Sequence, residues 1–237
     1  MVPKKSLPPT TLVDWRHTYR LIASHYPPID LFERIADPAD WETVAEIEGL
    51  TNDRLRDELG DISLVPVDER IGGPGSSVIM AAFTHLGGST RFSDGSYGVY
   101  YASDSLDAAI REAAYHRARF MKRTSEPKTQ VHMRNYVGSI RCDLHDIRGS
   151  HPKAHDPNSY GASQRLGAAV REAGGNGLVF DSVRFSGAEN VAVFRPKVLA
   201  SRTGKAHVIQ GPHLFLEWDG TRILRYFIAG RNEWHTL

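Results

Sequence analysis

The chain has a single cysteine, Cys142, and this scarcity excludes several kinds of site. One thiol cannot form an intrachain disulfide, and it cannot supply the paired cysteines of a typical zinc site. Cys142 lies in an alternating stretch, residues 140–144, so we interpret it as a strand residue rather than a nucleophile.

Long apolar runs and an excess of charge are also missing. No stretch approaches the roughly 18 apolar residues of a transmembrane helix, and the N-terminus lacks the apolar core of a signal peptide. The net charge is +1, without a run rich in lysine and arginine, which argues against nucleic acid as a direct partner. We therefore predict a cytoplasmic protein that binds neither membrane nor nucleic acid directly.

What is present suits a soluble globular protein. The 237 residues are 41% hydrophobic and 24% charged, and a chain of this length buries a substantial core. Residues 1–65 are predicted to form a helical extension, because Leu12, Trp15, Tyr19 and Ile22 recur at three-to-four spacing before Pro27. Such an extension would suit a homodimer.

Residues 66–237 differ from the N-terminal segment in composition and pattern, which predicts a second unit of mixed strands and helices. Seven glycines fall between Gly72 and Gly98, interleaved with apolar runs that we interpret as strands joined by tight turns. The fold class is therefore α+β. Strands are predicted at 78–83, 99–102, 137–144, 178–180 and 191–194, helices at 106–121 and 160–173, and a hairpin around Asp219-Gly220.

Glu112 is the leading candidate for chemistry. On the predicted helix it shares a face with Ala108 and Ala109, and two alanines allow a ligand to approach. The alternative is an ordinary surface glutamate beside Arg111, which the spacing alone favours.

Arg70, Arg91, Tyr101 and Ser182 are further candidates. Either arginine could fork onto a phosphate, although a lone loop arginine is usually a solvated charge. Tyr100 and Tyr101 must point to opposite faces of a strand, so one is core and the other can meet a ring. Ser182 lacks the setting of a nucleophile, so it is either a hydrogen-bonding group or a turn serine bonded to its own backbone.

The eleven histidines invite a metal interpretation, which the spacing does not support. His151 and His155 are four residues apart, but Pro152 opposes a helix there and no third ligand follows at a known interval. We expect no metal.

Several motifs in order resemble the RES-domain family, the NAD-consuming toxins of toxin–antitoxin pairs. The resemblance covers roughly residues 66–200 and includes Arg70, Arg91-Phe92-Ser93, residues 98–102, Ala109-x-x-Glu112, residues 177–184 and residues 190–194. Several members carry a tyrosine directly after the first arginine, where this chain has Ile71. That ring contact is lost unless Phe92 or Tyr97 substitutes.

The resemblance implies a fold similar to the ADP-ribosyltransferase fold of diphtheria-toxin type. It also implies an NAD⁺ pocket lined by Arg70, Arg91, Tyr101, Glu112 and Ser182, with Ile71 and Phe92 beside them. We assign catalysis to Glu112, Arg91 and Tyr101, and substrate binding to the others. The family usually pairs with an antitoxin that carries a helix-turn-helix DNA-binding region.

The chemistry of NAD⁺ favours a site with one carboxylate. Ordinary glycosidases need a second carboxyl group to protonate the leaving oxygen, whereas nicotinamide leaves NAD⁺ as a neutral molecule. We therefore predict cleavage of the nicotinamide–ribose bond by hydrolysis or phosphorolysis. Two alternatives stay open: an ADP-ribosyltransferase that modifies a protein, and a non-catalytic binding module on the same fold.

Overall fold

The computed structural model describes residues 6–24, 40–43, 60–200 and 208–237. In these ranges a mixed sheet of eight strands packs against three α-helices, which confirms the α+β class. The strands are β1 (Thr10–Ala23), β2 (Tyr100–Ser103), β3 (Thr129–Asp146), β4 (Gly177–Asp181), β5 (Glu189–Val193), β6 (Val208–Trp218), β7 (Ile223–Ile228) and β8 (Trp234–Thr236). The helices are α1 (Ser76–Thr84), α2 (Leu106–Thr124) and α3 (Gly161–Glu172), with 3-10 turns at Ile62–Leu64, Val67–Glu69 and Pro196–Leu199. None of the described helices combines the length and apolar character needed to cross a membrane.

The strand pairings join part of the sheet into a closed ring. The strand order is β1-β2-β5-β4-β3-β6-β7-β8, and β1 pairs with β3 as well as with β2. β3 makes this possible because its 18 residues pair with β1 on one edge, and with β6 and then β4 on the other. The β3–β4 pair is parallel, and the other pairs are antiparallel.

The helix predicted at the N-terminus is wrong for residues 10–23, which form β1 instead. Twelve of these residues pair with β3, from Thr10 opposite His145 to Ala23 opposite Met133. The segment is rich in threonine, aromatic and β-branched residues, which favour strands, and its pairing with a distant strand overrides the helical spacing. Residues 40–43 are helical, and the other predicted helices before residue 60 lie outside the described residues.

The strand predicted at residues 78–83 is also wrong, because this run lies in α1. Gly75, with a left-handed φ of 83°, precedes the helix, and Ile79, Met80 and Phe83 are buried. A short apolar run gives no period that separates a buried strand from a buried helix. The other predicted elements from residue 99 onward are confirmed, including both later helices and the hairpin at Asp219-Gly220.

Apolar side chains bury both faces of the ring and so determine which residues face the candidate site. Tyr100 and Ala102 of β2 pack with Val191 and Val193 of β5 in one core cluster. On the opposite face, Ala192 packs with the side chains of a second cluster, against which Tyr101 lies partly buried. Tyr101 and Ser103 of β2 and Asn190 of β5 therefore share a face, since side chains alternate along a strand.

Candidate functional site

Glu112 lies in the second turn of α2, and the start of this helix fixes its position. Ser105 caps the helix by accepting a hydrogen bond from the amide of Ala108 at 3.4 Å. Ala108 and Ala109 are buried, so the small side chains on the Glu112 face let α2 lie close to the sheet. The two alanines therefore face the interior and not an open space for a ligand.

The carboxylate of Glu112 is held by two side chains from the sheet. Ser182 Oγ donates to Glu112 Oε1 at 3.1 Å, and Asn190 Nδ2 donates to the same oxygen at 3.2 Å. Among the described residues, none donates to Oε2. Glu112 is therefore a partly buried, oriented carboxylate rather than a solvated surface glutamate.

Ser182 reaches Glu112 because it opens the turn between β4 and β5. Its amide donates to Ala188 O at 2.8 Å, while its hydroxyl accepts from the amides of Arg184 and Phe185 at 3.3 and 3.2 Å. The same hydroxyl donates to Glu112. Both interpretations of Ser182 therefore hold, because bonding to its own turn aims the hydroxyl at the carboxylate.

Tyr101 fixes the loop that carries Arg91. Its hydroxyl bonds with Thr90 Oγ1 at 2.9 Å and accepts from the amide of Phe92 at 3.0 Å, one residue on either side of Arg91. Burial raises the pKa of Tyr101 well above its ordinary value, so the hydroxyl stays protonated. Gln164 of α3 donates to Thr90 O at 2.9 Å and holds the same loop from the other side.

Arg91 and a second arginine, Arg184, both contact the segment 154–160. Arg91 Nη1 donates to the carbonyls of Ala154 and Asp156 at 3.1 and 2.9 Å. Arg184 Nη2 donates to Pro157 O at 2.8 Å. Both guanidinium groups also lie on aromatic rings, Arg91 4.8 Å from the ring centre of Tyr160 and Arg184 3.5 Å from that of Tyr115.

The surroundings of α2 are positively charged beyond Glu112. Tyr115 lies three residues after Glu112, and its neighbour His116 has a pKa lowered to about 4. Desolvation is the main cause, although part of His116 is exposed, and the charges of Arg184 and Arg91 add to it. The charges of these arginines therefore reach His116, which lies one turn after Glu112 on α2.

A comparison with known families assigns the chain to one of them. The sequence profile of the RES domain matches residues 68–219, which is more than half of the chain. The chain belongs to the RES-domain family. It is also 30% identical over 206 residues to a Sinorhizobium fredii (strain NBRC 101917 / NGR234) protein, the uncharacterised protein y4oC, covering 86% of this chain and 84% of that one.

A solved structure is similar to this RES domain at low identity. It is the crystal structure of the M. tuberculosis MbcT–MbcA toxin–antitoxin complex, with 10% sequence identity over 88% of this chain and 87% of that chain. The TM-score is 0.40, which does not establish a common fold. The ADP-ribosyltransferase-like fold therefore stays a prediction.

Three residues that the sequence assigns to substrate binding have buried side chains. The side chain of Arg70 is 1% exposed, donates to Val65 O at 3.0 Å and pairs with Glu42. Ile71 and Phe92 are fully buried in two different core clusters. The structure thus brings Glu112 and Ser182 into contact and places Arg91 in the loop that Tyr101 of β2 holds, whereas the side chains of Arg70, Ile71 and Phe92 lie in the interior.

Two cavities in the RES domain lie away from Glu112. One of about 320 Å³ is lined by residues including Glu69, Tyr97, Arg171 and Arg195, and the other borders Arg117 and His132. Neither includes any of the seven predicted site residues. Tyr97, offered above as a substitute for a missing ring, faces the first cavity and lies under Arg171.

In the described ranges, no group of three or more histidine, cysteine, aspartate or glutamate side chains is arranged to hold a metal ion. His155 instead accepts a hydrogen bond from the amide of Asp181 at 3.3 Å. The expectation of a metal-free site stays a prediction.

Asn190, Ser103 and Arg184 are the site residues that sequence reasoning did not assign. Arg184 lies in residues 177–184 and Asn190 in residues 190–194, two of the segments that resemble the RES-domain family. The spacing of these residues alone did not indicate a role for either. A signal was present at Asn190, because it is polar, precedes the apolar run 191–193 of β5 and shares its face with Ala192. Its contact with Ser103 depends on the pairing of β2 with β5.

Proposed function

We propose that this RES domain cleaves the nicotinamide–ribose bond of NAD⁺, with water or phosphate as the acceptor. The observation that carries the proposal is the Glu112 carboxylate, oriented through one oxygen by Ser182 and Asn190. A carboxylate held in advance by two donors needs little reorganisation to face a developing positive charge. Membership of the RES-domain family supports the same reaction.

Cleavage of this bond needs few catalytic groups besides the Glu112 carboxylate. The bond between ribose C1′ and the pyridinium nitrogen breaks, and its electron pair leaves with neutral nicotinamide. The ribose then carries positive charge, which Glu112 stabilises, until an oxygen of water or phosphate bonds to C1′. When water attacks, its proton passes to solvent or base, and the products are ADP-ribose and nicotinamide.

Arg91 and Arg184, which both contact segment 154–160, would hold the diphosphate. Arg91 uses Nη1 for the carbonyls of segment 154–160, and among the described residues its Nε and Nη2 donate to none. A guanidinium group has five N–H donors in a fork that matches phosphate, so the remaining donors suit this role. Tyr101 would act by holding the Arg91 loop, and Arg184 would add a second positive charge. A phosphate role for Arg70 stays a prediction that would require its pair with Glu42 to open.

Product analysis tests this proposal. The purified protein is incubated with NAD⁺, with and without inorganic phosphate, and the products are separated by chromatography and by ³¹P NMR. We expect nicotinamide with ADP-ribose, or with ADP-ribose 1″-phosphate when phosphate is present. If NAD⁺ labelled in its ADP-ribose part transfers that label to a protein, the result would instead support an ADP-ribosyltransferase. Undiminished NAD⁺ under all acceptor conditions would contradict the proposal and leave a binding module.

The same proposal includes toxicity and a neutralising partner. Depletion of NAD⁺ would arrest growth of a host that expresses the chain alone, and a cognate antitoxin with a helix-turn-helix region would relieve it. We expect arrest with the wild-type chain and normal growth with Glu112→Gln at equal protein level. Equal arrest by both chains would separate toxicity from the carboxylate.

A further inference from the structure

Asn190 and Ser103 form a buried polar pair behind Glu112. Both residues are nearly inaccessible, at 5% and 4% exposure, and they lie opposite each other on β5 and β2. Buried polar groups cost free energy unless they are hydrogen-bonded, so a pair of this kind inside an apolar sheet needs a reason. The strand positions themselves would accept apolar residues, since Ala102, Val191 and Ala192 beside them are buried.

The bond between these two residues anchors the amide of Asn190. Ser103 Oγ donates to Asn190 Oδ1 at 2.6 Å, and the Asn190 amino group faces Glu112 Oε1 at 3.2 Å. The reversed amide would set its carbonyl oxygen against the carboxylate, and two acceptors repel each other. Because a hydroxyl can donate or accept, the carboxylate selects the amino end of Asn190 and Ser103 holds the carbonyl end in place.

We propose that Ser103 and Asn190 act as a positioning pair that holds the Glu112 carboxylate in its reactive orientation. Ser182 and Asn190 approach the same oxygen from the two ends of the β4–β5 connection, so together they restrict rotation of the carboxylate. The inference rests on the proposed function, because orientation matters only if Glu112 faces the substrate. Neither Ser103 nor Asn190 needs to touch NAD⁺.

Kinetics of four variants test the pair. Asn190→Ala removes the donor, Ser103→Ala releases the amide, and Asn190→Asp keeps the shape while replacing the donor by an acceptor. Ser77→Ala is the control, because Ser77 is a buried serine of α1 whose hydroxyl has no partner among the described residues. We expect kcat to fall roughly 10- to 100-fold in the Asn190 variants and less in Ser103→Ala, with KM within about twofold, because a hydrogen bond to a charged group contributes roughly 1.5–3 kcal/mol.

A double variant distinguishes positioning of Glu112 from a general loss of folded structure. If Asn190 acts through Glu112, then Asn190→Ala should lower the residual rate of Glu112→Gln by less than about twofold. An undiminished loss in that background, or a rise in KM equal to the fall in kcat, would overturn the positioning role.

Crystal structures of wild type, Asn190→Ala and Ser103→Ala give a readout that does not need activity. We expect one Glu112 rotamer in the wild type and several, or a rotated carboxylate, in each variant. An unchanged Glu112 rotamer in Asn190→Ala would refute the pair, even if NAD⁺ cleavage is confirmed. Conversely, a wild type that leaves NAD⁺ intact, together with a rotated Glu112 carboxylate in the variants, would refute the proposed function and keep the positioning role.

Discussion

Arg70 and Arg91 lie in two contrasting regions of the molecule. Arg70 is enclosed, bonded to carbonyls of the chain just before it and paired with Glu42. Arg91 lies in the loop that Tyr101 holds, partly exposed, with only one of its terminal nitrogens bonded among the described residues. A guanidinium group used up inside the fold stabilises that fold, whereas one with donors left over can bind a ligand. Two side chains of the same type are thus bound to very different extents by the fold.

Replacing Arg70 should give the largest change in stability. Arg70→Ala leaves the carbonyls of Val65 and Ile62 without this donor and removes the pair with Glu42. We expect the free energy of unfolding to fall by about 2–3 kcal/mol in chemical denaturation, because unsatisfied buried groups are costly. The folded enzyme should keep its KM for NAD⁺. A KM rise matching that of an Arg91 variant would remove the contrast and restore Arg70 as a phosphate ligand.

Replacing Arg91 should change substrate binding more than folding. Arg91→Ala should raise KM for NAD⁺ about tenfold, roughly 1.4 kcal/mol, through loss of a charged fork for phosphate. Arg141→Ala is the control, since Arg141 is an exposed arginine in a surface pair with Asp14. If instead the melting temperature falls while KM is unchanged, Arg91 belongs with Arg70 as a structural residue.

Removing the Tyr101 hydroxyl should have a smaller effect, which is divided between the stability of the fold and KM for NAD⁺. Tyr101→Phe keeps the ring but loses the bonds to Thr90 and to the amide of Phe92. We expect about 1 kcal/mol of lost stability and a KM rise smaller than in Arg91→Ala, because the loop becomes mobile while the arginine remains. Hydrogen exchange of the loop amides reports the loosening. Unchanged exchange would show that the hydroxyl does not hold the loop.

The smallest effect should be a change in the titration of His116. With its pKa lowered to about 4 by desolvation and nearby arginines, His116 is neutral at pH 7. Removing positive charge in Arg184→Ala or Arg91→Ala should move this pKa upward, toward the ordinary value of 6.5. NMR titration of the imidazole measures it. A pKa that stays the same in both variants would mean that the arginine charge is not felt beside Glu112.

Local sequence signals predict much of the site. The cap at Ser105, the alanines before Glu112 and the turn after β4 are set by neighbouring residues, and each is present in the structure. The structure joins Glu112 and Ser182, both assigned to the site from the sequence, by a hydrogen bond, and their roles toward a substrate stay predictions. These features depend on helix capping and turn chemistry, which a single chain segment decides.

Long-range pairing explains what the sequence does not predict. β1 has apolar residues at a helical spacing, yet its partner β3 lies more than 100 residues away and imposes a strand. The burial of Arg70 depends in the same way on Glu42, 28 residues earlier. Asn190 meets Glu112 and Ser103 only because β2 and β5 pair, which no local pattern encodes.

The most direct test of the central claim compares two glutamine variants in initial rates of NAD⁺ consumption. Glu112→Gln keeps the shape and an acceptor for Ser182 but removes the charge, and Glu172→Gln makes the same change at an exposed position of α3. The account predicts that kcat falls by about 10²- to 10³-fold in Glu112→Gln, with unchanged melting temperature, and stays at the wild-type value in Glu172→Gln. Full turnover by Glu112→Gln would contradict it.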